Sequence, residues 1–244
     1  MTELPQLGQI WVYLAASPLL GLTMTLLAYV LAQAIYLRCG ASPLANPVAI
    51  AVALVCAMLA LSGMPYRDYF EGAQFVHFLL GPATVALAVP LARQWPQMRR
   101  WLLPMLAALL AGSVTAIVSA VGVMLALGGN LQLAASAGPK SATTPIAMAL
   151  SQKLGGVPSL TAMMVIGTGI LGAIVAPFVF ARVRGAGDEV RGFALGVAAH
   201  GIGTARAFQL SAARGAFAGF GMGLNGVLTA LLAPWLVPVL LRLA

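Results

Sequence analysis

Residues 101–127 read WLLPMLAALLAGSVTAIVSAVGVMLAL, without one charged side chain. The hydrocarbon core of a bilayer takes about 20 apolar residues of helix to cross, so the stretch is long enough to span. Its apolar residues do not alternate with polar ones, as the strands of a membrane barrel would require. Lipid offers no partners to backbone N–H and C=O groups, and a helix satisfies them within its own segment. The stretch therefore predicts a membrane-spanning α-helix, with Arg99, Arg100 and Trp101 marking its entry at an interface.

Further segments read the same way. Residues 14–37, 159–181 and 217–241 are full-length apolar runs, and 47–61 is a shorter one introduced by Asn46-Pro47. Residues 78–92 contain Gly81, Pro82 and Pro90 and predict a short or interrupted helix, while 193–210 is broken by glycine and either crosses fully or re-enters. Residues 66–77 mix Tyr66, Tyr69, Phe70 and Phe75 with Arg67, Asp68 and Glu71, a blend suited to the headgroup region. Residues 1–18 lack a basic start, so the first segment is expected to stay as a span rather than be removed as a signal.

Composition agrees with this reading. Of 244 residues, 61% are hydrophobic and 7% charged, whereas soluble domains carry about 25% charged residues to face water. The expectation is an all-α polytopic integral membrane protein of about six to eight spans, a single membrane domain over residues 1–244. The net charge of +8 comes from scattered basic residues, which form no nucleic-acid patch. With the N-terminus outside, and 138–152 dipping in and returning, Arg38, Arg93, Arg99, Arg100, Arg182, Arg184 and Arg191 all fall inside, as cytoplasmic loops require. Cys39 and Cys56 have no metal-ligand spacing and read as small packing residues.

Three stretches share a layout of Gly, small or hydroxylated residues, a short run and then a full span. They begin at Gly81-Pro82-Ala83-Thr84, Gly138-Pro139-Lys140-Ser141 and Gly201-Ile202-Gly203-Thr204. Short, Gly/Pro-interrupted segments in corresponding positions point to the binding site of a secondary transporter built from repeats. Chance similarity among Ala/Gly/Leu-rich segments is the competing explanation.

All five acidic residues, Glu3, Asp68, Glu71, Asp188 and Glu189, sit in the N-terminus or in loops. The spans therefore offer no carboxylate for a metal, a proton relay or a nucleophile–His–acid constellation, which argues against an enzyme, a metal or another cofactor. Two cations do fall in broken segments, Lys140 and Arg206. A cation at membrane depth costs about 2.5–3.5 kcal/mol on insertion scales, so it faces a cavity or a partner, or it snorkels to an interface. With no acid nearby in sequence, the partner that fits is an anionic substrate. Arg206 would clamp a carboxylate by two parallel hydrogen bonds, and Lys140 would add a point charge. Ser141, Thr143 or Thr144 would cap a half-helix whose positive end meets the anion, and Thr204 would do the same after Gly203. His200 is either a packed, hydrogen-bonded core histidine or the group that titrates during proton-coupled transport. Gly201 and Gly203 mark a break or close packing.

At these residues the sequence resembles the LrgB/CidB family of bacterial membrane proteins. The matching stretches are LGPATVALAVPL at 80–91, PKSATTPIAMALSQKLGGVPSLTA at 139–162, GFALGVAAHGIGTARAFQL at 192–210 and GAFAGFGMGLNGVLTALLAPWLVP at 215–238. The resemblance implies a multi-pass protein of the bacterial inner membrane and two contested functions. Members of that family are described as antiholin-like or holin-like modulators of murein hydrolase export and cell lysis. Related proteins, the plastid glycolate/glycerate translocator among them, carry small monocarboxylates such as glycolate, glycerate or pyruvate. That translocator fuses an LrgA-like part to its LrgB-like part, so a separate LrgA-like partner is implied here, and a homo-oligomer is expected. Cations without matching acids in broken membrane helices favour the carrier, with Lys140, Ser141, Thr143, Thr144, His200, Gly201, Gly203, Thr204 and Arg206 as its substrate site.

Overall fold

The computed structural model describes residues 18–183 and 185–243, which are helical throughout apart from short turns. The start of the first expected span, Glu3 and Arg184 lie outside them. Among the described residues, five helical stretches are long and apolar enough to cross a membrane: Leu19–Arg38, Tyr66–Arg100, Leu102–Ala126, Pro158–Arg182 and Ala212–Arg242. The chain is an all-α polytopic membrane protein. It forms two compact units, divided between Ala86 and Leu87.

In the first unit, α1 (Pro18–Arg38) packs on α2 (Pro47–Ser62) and α3 (Tyr66–Phe78), and α4 (Leu80–Ala86) follows. Asn46 starts α2 by accepting from the backbone N–H groups of Val48 (2.9 Å) and Ala49 (3.1 Å), with Pro47 in the first turn, where its missing N–H costs nothing. Met24, Met64, Tyr69 and Ala73 form the buried contact. The interfacial reading of 66–77 corresponds to α3, where Tyr66 and Phe70 stack at 5.7 Å and both stay exposed.

The second unit contains α5 (Ala88–Arg100), α6 (Leu102–Ala126), α7 (Leu131–Ala137), α8 (Thr144–Lys153), α9 (Pro158–Arg182), α10 (Asp188–Leu210) and α11 (Ala212–Arg242). Within 78–92 single turn residues at Leu79 and Leu87 separate α3, α4 and α5, and the Leu87 backbone (φ −61°, ψ −20°) stays in the helical region. Large apolar side chains on α6, α9 and α11 point outward, among them Leu103, Leu110, Leu171, Phe178, Leu231 and Trp235. The inside of the unit combines apolar clusters around Phe217, Ile117 and Val237 with buried polar side chains, Ser113, Thr161, Asn225 and Thr229 each at most 2% exposed. That is the distribution expected of a bundle whose solvent is lipid.

Two of these helical segments double back. A straight helix from 188 to 211 would separate its ends by about 35 Å, yet the Ser211 hydroxyl donates to Asp188 Oδ2 and Arg214 pairs with the same carboxylate. The reversal is at His200, whose backbone (φ 39°, ψ −130°) leaves the helical region. One arm therefore runs to Ala199 and the other returns from Gly201, so 193–210 re-enters rather than crosses. The α7–α8 segment is also a hairpin. Ser136, near the end of α7, accepts from the Val157 N–H through its hydroxyl (2.8 Å), and the Thr161 hydroxyl lies between the Ser136 carbonyl (2.9 Å) and the Ser151 hydroxyl (2.7 Å).

Helix α11 serves as a ruler for both. Arg214 touches the base of the α10 hairpin, and Val237 packs on Gly138 and lies in one cluster with Ala134 and Ala135 of α7. Between them Asn225 reaches both tips, Ser141 of one hairpin and Val197 of the other. Arg214 and Val237 lie about 16 Å and 18 Å from Asn225 along the helix. The hairpins thus approach from opposite ends and meet in the middle. Close packing makes this geometry: a Cβ at Gly196 would fall on the Ala218 carbonyl, so only glycine lets α10 lie this near α11.

Candidate functional site

The meeting point is built on one side chain that the sequence reading passed over. The Asn225 amide donates to the carbonyls of Ser141 (2.7 Å) and Val197 (3.2 Å), and its Oδ1 accepts from the Ser113 hydroxyl (2.7 Å). It thereby joins both hairpin tips to α6. A polar amide inside an apolar span was a signal available in the sequence, since such groups are costly unless partnered.

His200 makes the second tip. A positive φ on a side chain other than glycine is a strained conformation that surrounding contacts must hold. Here the ring is buried and its Nε2 lies 2.9 Å from the Val165 carbonyl of α9. A carbonyl only accepts, so Nε2 carries a proton. Gly169 makes room for this ring: a Cβ there would come within 2.7 Å of His200 Cε1. The packed, hydrogen-bonded histidine is thus what the structure contains.

Thr204 departs from the expected cap. The return arm starts at Gly201, one residue after the reversal, so Thr204 already lies within it, and its buried hydroxyl donates to the His200 carbonyl (2.8 Å). Gly203 presses on the first arm, where a Cβ would meet Ala199 Cβ at 2.6 Å. Gly201 is exposed. At the other tip Thr143 occupies the N-cap position of α8, but its side chain makes no capping hydrogen bond, and Thr144 follows as the first helical residue.

The two cations part company. Lys140 and buried Ser141 line a cavity of about 700 Å³ between α6 and the first arm of α10, with Lys140 Nζ 3.5 Å from Ser141 Oγ. Arg206 sits on the return arm, between one and two turns beyond His200. Its Nη1 donates to Gln209 Oε1 (3.1 Å), and it is not among the residues lining that cavity. The structure brings together Lys140, Ser141, Asn225, Val197 and the His200 reversal, and it places Arg206 further along the hairpin toward its base.

Known proteins bear on this arrangement. A family model for the LrgB-like family matches residues 25–239. This chain belongs to that family. The LrgB-like chain is 34% identical to the uncharacterized protein YwbG of Bacillus subtilis (strain 168) over 219 residues, 90% of this chain and 97% of that protein. It is 27% identical to the antiholin-like protein LrgB of Bacillus mycoides (strain KBAB4) over 222 residues, 91% of this chain and 96% of that one. It is also 32% identical to an uncharacterized protein of Haemophilus influenzae over 190 residues, covering 78% and 82%. No solved structure matches it.

Proposed function

We propose that this LrgB-like protein is a secondary carrier of small monocarboxylates of the glycolate, glycerate or pyruvate type, working by alternating access in a bacterial cytoplasmic membrane. One observation carries the reading: a lysine amine lines a cavity beside the point where two hairpins from opposite ends of the bundle meet. Transporters place their sites at such midplane junctions of broken helices. Lys140 draws the carboxylate and Ser141 offers it a hydroxyl, while Thr143 and Thr144 open α8 behind that tip. His200, Gly201, Gly203 and Thr204 shape the second tip, and Arg206 attracts the anion along the return arm.

A second reading has its own support. Relatives of this chain bear the name antiholin-like protein LrgB, and that name speaks for modulation of murein hydrolase export and lysis more directly than for carriage. In a third version the chain is a scaffold whose activity needs an LrgA-like membrane partner.

Uptake of labelled glycolate and pyruvate into proteoliposomes separates them. The carrier reading expects saturable uptake that Lys140→Gln lowers at least tenfold without loss of folded protein, and that Arg206→Gln weakens. A pore or lysis modulator would instead leak dye and ions with little dependence on Lys140. Uptake only after an LrgA-like protein is added would favour the scaffold.

A further inference from the structure

The cavity's lining is nearly all apolar, and its charged groups stand at opposite ends. Lys140 and Ser141 close one end, while Glu189 stands near the other, its Oε1 accepting from Gln97 Nε2 (2.7 Å). Val197 shares Asn225 with Ser141, and Glu189 lies eight residues before Val197 on the same arm. At 1.5 Å per residue the two ends are about 12 Å apart. Between them run Pro104, Met105, Ala108 and Phe193, with Thr115 adding a lone hydroxyl.

We infer that this cavity takes a singly charged carboxylate with an apolar body of several carbons. The inference rests on the carrier reading for the cavity as the anion's site and departs from it in the substrate, which is an aliphatic acid in place of short hydroxy acids such as glycolate and glycerate. The carboxylate sits at Lys140 and Ser141, and the body lies along Ala108 and Phe193. A dicarboxylate would place its second charge on apolar wall or toward Glu189, because the lining holds no second cation. A polyhydroxylated acid would leave hydroxyls unpaired against that wall, at the cost of the water they gave up. Each methylene buried should tighten binding about fourfold.

The test is thiol protection. Ala108→Cys, in a background of Cys39→Ser and Cys56→Ser, is labelled by a water-soluble maleimide in proteoliposomes in the presence of acetate, butyrate, hexanoate, glycerate or succinate. Protection should improve from acetate to hexanoate by at least tenfold in half-maximal concentration, with glycerate and succinate failing at the concentrations where butyrate succeeds. Lys140→Gln should abolish protection and Lys140→Arg keep it, with unprotected labelling rates unchanged as a check on folding. Equal protection by succinate or glycerate, or protection indifferent to Lys140→Gln, would overturn the inference. Labelled glycolate and butyrate uptake, followed in the same vesicles, tells the two failures apart. Saturable glycolate uptake without hexanoate protection would sink the inference and spare the carrier reading. Ordered protection without saturable uptake of either acid would leave a binding site and sink the carrier.

Discussion

Asn225 commits its whole amide to other elements: both tips through its nitrogen, and Ser113 through its oxygen. Replacing it by Leu keeps the bulk and strands the buried Ser141 carbonyl, the partly buried Val197 carbonyl and the Ser113 hydroxyl. Each buried group left unsatisfied costs about 1–3 kcal/mol. Asn225→Leu should therefore lower the thermal unfolding midpoint of the detergent-solubilised protein by several degrees, whereas an unchanged midpoint would mean that packing alone holds the tips. Residues differ in how far the sequence exposes them. Lys140 and His200 stand out because a charge or an imidazole in a Gly- and Pro-rich break contrasts with apolar surroundings. Asn225 is one amide within a long apolar run, and which carbonyls it meets depends on elements 28 and 84 residues away. The left-handed turn at His200 was not legible at all. Gly201 and Gly203 can take positive φ without strain, yet the chain turns one residue earlier.

The α10 hairpin is closed at its base by Asp188, Ser211 and Arg214. The Ser211 hydroxyl, and after it the Arg214 guanidinium, holds the Asp188 carboxyl below its ordinary value. A carboxyl with a depressed folded pKa adds stability that is fully present above its unfolded value and disappears as pH falls through the folded one. The difference in unfolding midpoint between wild type and Asp188→Asn should thus stay constant from about pH 7 to pH 5 and close below about pH 4. A gap that persists in stronger acid would show the clamp to be steric. Length and composition could not decide whether 193–210 crosses or re-enters, because a straight helix and two folded arms use the same residues. The decision lies in a polar contact between positions 23 and 26 apart, which no local pattern displays.

Two of the three stretches with a shared layout fold alike: α7–α8 with α9, and α10 with α11, each a hairpin followed by a span, entering from opposite ends. The first stretch does not, since its helices α4 and α5 fall in different compact units. Apolar length was enough to read the long spans at 102–126, 158–182 and 212–242, because lipid imposes it, whereas Tyr66–Arg100 read as an interfacial stretch and a short helix. The meeting of the tips was not legible, because it is purely tertiary. The arrangement predicts sidedness. In a background without the native cysteines, Gln132→Cys and Lys153→Cys, which bracket α7–α8, should both react with an impermeant maleimide from outside the cell. Arg182→Cys and Ala212→Cys, which bracket α10, should both react only from inside. Reaction of Arg182→Cys and Ala212→Cys from opposite faces would mean that α10 crosses. The shortness of the α10 arms also governs how the protein is made. Neither arm has the length or apolarity that the insertion machinery retains in the bilayer, and the segment carries Asp188, Glu189, Arg191 and Arg206. Its tip rests on α9 through His200, but its closest backbone packing, at Gly192 and Gly196, is against α11, which leaves the ribosome after it, so the centre of the molecule is completed only once the last helix has been made.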